Sequence, residues 1–346
     1  MVTDMILNSI NNNRRTGMIK FGIVGTSWIA AEFVKAARDI VEVEVTSVYS
    51  RNQVTGEEFA KANHIKDVFS DYEDMLMSSE VDAVYIGSPN ALHFSQALLA
   101  IEKGKHVICE KAITSNLKEL NILIEKASKH GVLLIEAMKS LSMPIFEEIQ
   151  KNIDQIGPIR QAVFNFCQYS SKYDAYKKGE LPNIFNPKFS AGALMDIGVY
   201  CVYPCIALFG VPKSIKSQVT KLESGVDGAG SIILGYESFQ VTLIYSKINA
   251  SFVPSEIMGE EGNLIIHHIS SPDKLEKVIG KGEEIKDITP AREYMPMYYE
   301  IKEFVDTLNR GQRESKIYSH ELMREVMAVL DQVRRENGIV FPADHL

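Results

Sequence analysis

Short apolar runs alternate with stretches of helical periodicity over residues 19–137. IKFGIV (19–24) reads as a buried strand, and Ile29, Phe33 and Ala36/Ala37 recur at helical spacing over 28–38. VEVEVTSVYS (41–50) is a second strand, followed by a helix around 55–62 and a short turn of helix from Asp71. VDAVYIG (81–87), HVICE (106–110) and VLLIEA (132–137) are further strands. A helix over 91–103 stops at Gly104, and Asn116 with Glu119 three residues later caps another. Strands this apolar, each followed by a helix, predict a parallel sheet covered on both faces. Such sheets take ligands outside the carboxyl ends of their strands.

The pattern changes after Pro144. A helix over 145–156 ends at Gly157-Pro158, a strand runs 159–169, a polar loop reaches about 189, and an apolar helix lies near 192–209. Beyond 213 the strands are successive and alternate, as in FQVTLIY (239–245), which predicts a mainly antiparallel sheet with one face on helices. Helices near 294–309 and 319–337 close the chain. The expected architecture is an α/β Rossmann domain over 18–138 and an α+β domain for substrate binding and oligomerisation over 139–346, with a large, mainly antiparallel open sheet. Two domains also suit the length: a single core rarely grows past roughly 250–300 residues, and this chain has 346.

Composition narrows the function. A net charge of −8 argues against a nucleic-acid partner, which wants a basic face. Cys109, Cys167, Cys201 and Cys205 form no C-x-x-C pair and have no histidine cluster beside them, so buried reduced thiols and no metal are expected. No run of about 18 apolar residues appears, so no membrane partner is expected and the location reads as cytoplasmic. Residues 1–17, MVTDMILNSINNNRRTG, are Asn-rich and lack the long apolar core of a secretory signal. They read as a tail, with Met18 an alternative start.

Candidate chemistry begins at the first strand-to-helix turn, GIVGTSWIA (22–30). Aligned as Gly25-x-Ser27-x-x-Ala30, it matches a dinucleotide fingerprint with serine at the middle glycine. Gly25, Ser27, Trp28 and Ile29 are the candidate pyrophosphate cradle, with the Ser27 hydroxyl a possible donor to phosphate. The second strand ends Tyr49-Ser50-Arg51 with no acid to accept from ribose hydroxyls. Ser50 and Arg51 suit a 2′-phosphate instead, which puts NADP ahead of NAD. After the strand at 81–87, Ser88, Pro89 and Asn90 are placed to line the cofactor, and His93 either joins them or caps the helix.

GSPNALH (87–93), GKHVICEKA (104–112), GALMDIGVY (192–200) and the ending YSHELMREVMAVLDQVRRENGIVFPAD together resemble the Gfo/Idh/MocA family of glucose–fructose oxidoreductase, inositol dehydrogenase and their relatives. The resemblance spans about residues 18–346. Tyr200 followed by Cys201-Val202 is most similar to the dimeric dihydrodiol dehydrogenase branch. The resemblance implies hydride transfer at the domain interface. The family's E-K-P lysine falls on Lys111, between Glu110 and Ala112, and its D-x-G-x-[HY] motif on Asp196, Gly198 and Tyr200. Glu110 and Glu136 join the expected cofactor-side residues. Positions 196 and 200 share one helix face. Tyr200 is then the proton donor or acceptor, Lys111 the cation that draws its phenol toward phenolate, and Asp196 the group that orients Lys111 or a substrate hydroxyl.

Two departures stand out. Ala112 replaces the family's proline, and a cis bond before a non-proline residue costs about 2.5–4 kcal/mol, so the loop is expected to be trans with Lys111 less well aimed. The branch's E-A-x-W-T-R-F-x-P reads here Glu136-Ala137-Met138-Lys139-Ser140-Leu141-Ser142-Met143-Pro144, so the pocket differs and a dihydrodiol substrate does not carry over. The expected activity is an NAD(P)-dependent oxidoreductase of a sugar, polyol or related carbonyl compound. The expected assembly is a homodimer or homotetramer formed through the open sheet. The alternative is a non-catalytic NAD(P)-binding sensor or regulator: Lys111 and Tyr200 favour the enzyme, Ala112 the regulator.

Overall fold

The computed structural model describes residues 17–345, so all but the last residue of the tail read over 1–17 lies outside it. The first sheet is built from β1 (Ile19–Val24), β2 (Val43–Tyr49), β3 (Asp67–Phe69), β4 (Ala83–Ile86), β5 (His106–Glu110) and β6 (Leu134–Ala137). Its order is β3-β2-β1-β4-β5-β6 and every pairing is parallel. The crossovers carry α1 (Trp28–Ala37), α2 (Gln53–Ala62), α3 (Tyr72–Met77), α4 (Asn90–Glu102) and α5 (Leu117–His130). Four of the five starts have a side-chain cap: Ser27, Asn52, Asp71 and Asn116 accept at their oxygens from the amide three residues on, while α4 starts after Pro89 without one. Three-residue β3 went unpredicted because it is too short to carry a period. Strand order reverses between β1 and β4, and the crevice this leaves at their carboxyl ends is where ligands bind such sheets.

The second half begins with α6 (Pro144–Asn152) and holds β7 (Ile159–Cys167), short α7 (Tyr173–Lys177) and α8 (Val199–Phe209). Next come β8 (Ser214–Lys221), β9 (Asp227–Gly235), β10 (Gln240–Ser246), β11 (Ser255–Gly259), β12 (Gly262–His267), β13 (Lys274–Ile279) and β14 (Glu284–Asp287). The eight strands run β14-β13-β12-β11-β7-β10-β9-β8, antiparallel except for β7 with β10. Alternation sorts the two faces. Phe164, Ile232, Leu243 and Leu264 are fully buried on one, where α8 packs on β7 and β10. Val163, Ile233, Ile244 and Ile265 stand on the other, half-exposed or exposed among Ser231, Thr242 and Glu256. That outer face is therefore mixed rather than uniformly apolar.

The chain returns to the first sheet at its end. α9 (Pro296–Asn309) packs on α1, where Phe304 meets Phe21 at 5.5 Å between ring centroids, and α10 (His320–Glu336) packs on α5 and α8. One stretch among the described residues, Pro187–Phe209, is long and apolar enough to cross a bilayer, which qualifies the reading of the bare sequence. It is mostly buried inside the protein, and packing between sheet and helices accounts for its apolarity. The four cysteines are buried free thiols, and no cluster suited to a metal occurs among the described residues. His267 and His268, for which the sequence offers no partner, pair with Glu276 and Asp273 at 2.8 Å each.

Candidate active site

β1 is followed by Gly25, whose φ of +102° belongs to the region that side chains rarely enter; a Cβ there would lie 3.2 Å from the Gly87 carbonyl oxygen. The turn opens a cleft of about 590 Å³ across the carboxyl ends of β1, β2 and β4. Gly25, Ser27, Ser50, Arg51, Ser88 and Pro89 line it as expected; Thr26, Asn52, Thr55 and Gln96 join them without having been singled out. Asn52 carried a signal that was available: it caps α2, accepting from Thr55 N–H at 3.1 Å, beside Arg51. Arg51 forms no ion pair among the described residues, so its guanidinium is free for an anion.

Several expected residues sit elsewhere. The Ser27 hydroxyl donates to Gly87 O at 3.2 Å and accepts from Ala30 N–H, so it closes the turn and is not free to donate to phosphate. Trp28 is 74% exposed, and neither it nor Ile29 lines the cleft. Asn90 donates to Ser190 O across the domains at 3.3 Å. His93 does not cap α4, whose N-cap is Pro89. It is fully buried, with its ring nitrogens 2.9 Å from Ala112 O and 2.8 Å from Ser88 O, and so braces two strand-end loops against each other. Burial depresses its pKa.

Lys111 follows β5 directly. The Lys111–Ala112 peptide is cis, which overturns the expectation of a trans loop. The surroundings specify this turn without proline: Ala112 is fully buried, its oxygen meets His93, and Ile113 N–H donates to Glu136 Oε1 at 3.0 Å. From there Lys111 Nζ donates to Asp196 Oδ1 at 2.9 Å and to the Asp196 carbonyl at 2.7 Å, and lies 5.1 Å from the centroid of the Tyr200 ring. Asp196 sits in a π-helical turn, Leu194–Gly198, that leads into α8. Glycine at 198 lets that turn lie against Tyr245, since a Cβ there would be 3.1 Å from the ring. Asp196 and Tyr200 thus converge on Lys111 from one helix. A further residue, Lys247, ion-pairs with Asp196 Oδ2 from the end of β10. Its signal was a lysine two positions beyond buried Tyr245, in register with the core-facing side of a strand.

The electrostatics revise one expectation. Burial opposes ionisation of both partners, yet Lys111 and Lys247 hold the Asp196 carboxyl well below the usual carboxylate range. Asp196, Tyr200 and Glu110 hold the Lys111 ammonium above its own. Tyr200 moves up, not down: burial outweighs the lowering effect of Lys111, and Glu110 and Asp196 add to the rise. The phenol is therefore the resting form. Glu110 and Glu136 do not line the cleft, Glu110 accepting from Tyr85 O–H at 2.6 Å and Glu136 from Ile113 N–H and Tyr203 O–H. Burial raises Glu136 from 4.5 to about 7, against the bonds from Tyr203 and Ile113. A carboxyl raised on folding favours the folded state below its unfolded value and loses that contribution as pH climbs through about 7. Glu136→Gln, which keeps an acceptor for Ile113, should therefore flatten the stability profile between pH 4.5 and 7 and raise the unfolding midpoint at pH 8. Thermal melts at pH 5 and pH 8 check this; a lower midpoint at pH 8 contradicts it.

A glycine-turned cleft at the switch point of a parallel sheet, beside a Lys–Asp–Tyr cluster drawn from both sheets' domains, defines a two-domain dinucleotide-binding oxidoreductase. Comparison agrees. The model of an oxidoreductase family with an NAD-binding Rossmann fold matches residues 19–138, and that of the GFO/IDH/MocA C-terminal domain matches residues 146–265. The scyllo-inositol 2-dehydrogenase (NADP(+)) IolU of Bacillus subtilis (strain 168) is 43% identical over 94% of this chain and 99% of its own. The trans-1,2-dihydrobenzene-1,2-diol dehydrogenase of Xenopus laevis is 29% identical over 93% and 99%. Among solved structures, KijD10, a 3-ketoreductase from Actinomadura kijaniata in complex with NADP and TDP-benzene, superposes with a TM-score of 0.81 over 92% of this chain and 98% of that one, at 22% identity. The chain belongs to the Gfo/Idh/MocA family and is an NAD(P)-dependent oxidoreductase.

Proposed function

We propose that this enzyme is an NADP(H)-dependent dehydrogenase of polyols and related carbonyl compounds, with Tyr200 moving the proton, Lys111 assisting it and Asp196 orienting Lys111. The carrying observation is the convergence of Lys111, Asp196 and Tyr200 beside a cleft lined by Arg51, which has no ion pair among the described residues. The 43% identical relative named for scyllo-inositol and NADP(+) supports both the substrate class and the cofactor.

The cleft fits a dinucleotide: its turn has no room for a side chain at Gly25, and Gly25, Thr26 and Ser27, which lead into the N-terminus of α1, line it. That helix end would hold the pyrophosphate, while Ser50, Arg51 and Asn52 would hold a 2′-phosphate and Pro89 and Lys111 would flank the nicotinamide. When bound, the cofactor supplies or accepts the hydride. Tyr200 gives its phenolic proton to the carbonyl oxygen in reduction and recovers it from the hydroxyl in oxidation. A phenol held above its ordinary value suits the donor's part. An ammonium beside that oxygen stabilises the charge that develops on it.

The test is an assay of NADP+ reduction with scyllo-inositol and a panel of other polyols. Turnover is expected with at least one of them, alongside tight NADPH binding. Binding without turnover across the panel would favour the sensor reading. The proposed assembly is a homodimer or homotetramer joined through the outer sheet face, where Ile233 and Ile244 are exposed on an otherwise mixed surface. Light scattering at micromolar concentration should show no monomer, and Ile233→Asp with Ile244→Asp should shift the population to one. A monomeric parent would end this reading.

A further inference from the structure

The mechanism above leaves Lys247 unexplained. It is 6% exposed, which is rare for a lysine and unfavourable for an ammonium without a partner. Its backbone is gripped on both sides: its N–H donates to Gly228 O at 2.8 Å, and its oxygen accepts from Ser170 N–H at 2.9 Å. The side chain thus leaves a fixed point at the end of β10, and its partner among the described residues is Asp196 Oδ2.

That contact completes a count of donors and acceptors. Asp196 has one carboxylate oxygen on Lys111 and the other on Lys247. Both are engaged by cations, which ties the carboxylate to Lys111 and Lys247. An ammonium has three N–H donors. Lys111 directs two of them to Asp196, at Oδ1 and at the main-chain oxygen, and so has one left for the substrate. The direction of that last N–H depends on the plane of the Asp196 carboxylate. The torsion setting that plane is intrinsically broad. One cation would leave the carboxylate free to turn; two, on opposite oxygens, fix it.

We propose that Lys247 is a positioning residue of this reaction: it locks the Asp196 carboxylate so that the single N–H left on Lys111 stays aimed at the substrate oxygen beside Tyr200. The proposal rests on the assignment of Lys111 and Tyr200 given above.

The experiment is steady-state kinetics with NADP+ and scyllo-inositol on the parent, Lys247→Met, Asp196→Asn, their double variant and Lys111→Met, with NADPH titration and thermal melts on each. Lys247→Met should lower kcat roughly tenfold, the scale of a small misplacement of a reacting group, with KM and NADPH affinity within about threefold of the parent. The double variant should be no slower than Asp196→Asn by more than about threefold, because Lys247 works through Asp196. An unchanged kcat in Lys247→Met overturns the proposal. So does a raised KM at parental kcat, which would make Lys247 a substrate contact, and so do losses that multiply in the double variant. An inactive Lys111→Met beside a parental Lys247→Met refutes this proposal alone; an active Lys111→Met refutes the underlying assignment. Should Lys247→Met fail to fold, Lys247→Gln, which keeps an N–H donor, carries the same comparisons.

Discussion

Lys111→Met and Tyr200→Phe should each lower kcat by about 10²–10⁴-fold, the usual reach of a positioned acid–base group, while NADPH binding is largely retained. The separation follows from the layout. Lys111 and Tyr200 meet 5.1 Å apart at the domain junction, whereas Gly25, Ser50, Arg51 and Ser88 line the nucleotide cleft. Groups that act on the substrate oxygen contribute mainly in the transition state, so their loss appears in kcat. Acting as a unit, they should also be non-additive, with the double variant little slower than either single one. The pH profile adds a sign. Burial raises the Tyr200 pKa and Lys111 lowers it, so removing the ammonium leaves burial unopposed and moves the tyrosine's limb of the profile to higher pH. Near-parental activity in Tyr200→Phe would make Tyr200 a packing residue, held edge-on to Phe166 at 5.7 Å, and would end this mechanism.

Arg51→Ala should weaken NADPH binding about 10–100-fold and leave NADH nearly unchanged, the range expected for loss of a charge-assisted hydrogen bond of about 1.5–3 kcal/mol. Arg51 stands at the end of β2 beside the N-terminus of α2, and no carboxylate among the described residues competes for it. The ribose-binding acid of NAD-preferring sheets is missing there, so a 2′-phosphate meets no repulsive carboxylate where it would take the guanidinium. Fluorescence titration with both dinucleotides measures the ratio. A parent that binds NADH more tightly would reverse the cofactor assignment.

The site was legible where its signals are short in range. Gly25 at the end of a strand, Asn116 capping α5 and the i,i+4 pair Asp196 and Tyr200 each occupy a few residues, and local backbone geometry suffices to place them. Ser27 shows where that legibility stops. Its position in the turn was readable, but its hydroxyl belongs to Gly87, 60 residues away. His93 is similar: its place on the helix was evident, and its bond to Ala112 was not.

The sequence by itself determined the alternation that builds the parallel sheet, the change to alternating strands after Pro144, and the lysine, aspartate and tyrosine proposed to carry the chemistry. Periodicity, caps and turns act within a few residues and survive in a linear reading. Only the tertiary structure decided how those groups are charged and aimed. Burial from both domains raised the Tyr200 phenol where proximity to a cation alone would have lowered it. Buried neighbours of Ala112 specified a turn that its own side chain does not favour. Lys247, 51 residues beyond Asp196, supplied the second cation. Desolvation and hydrogen-bond partnership depend on what the fold brings within a few ångströms, and residues so far apart in the chain carry no local sign of it.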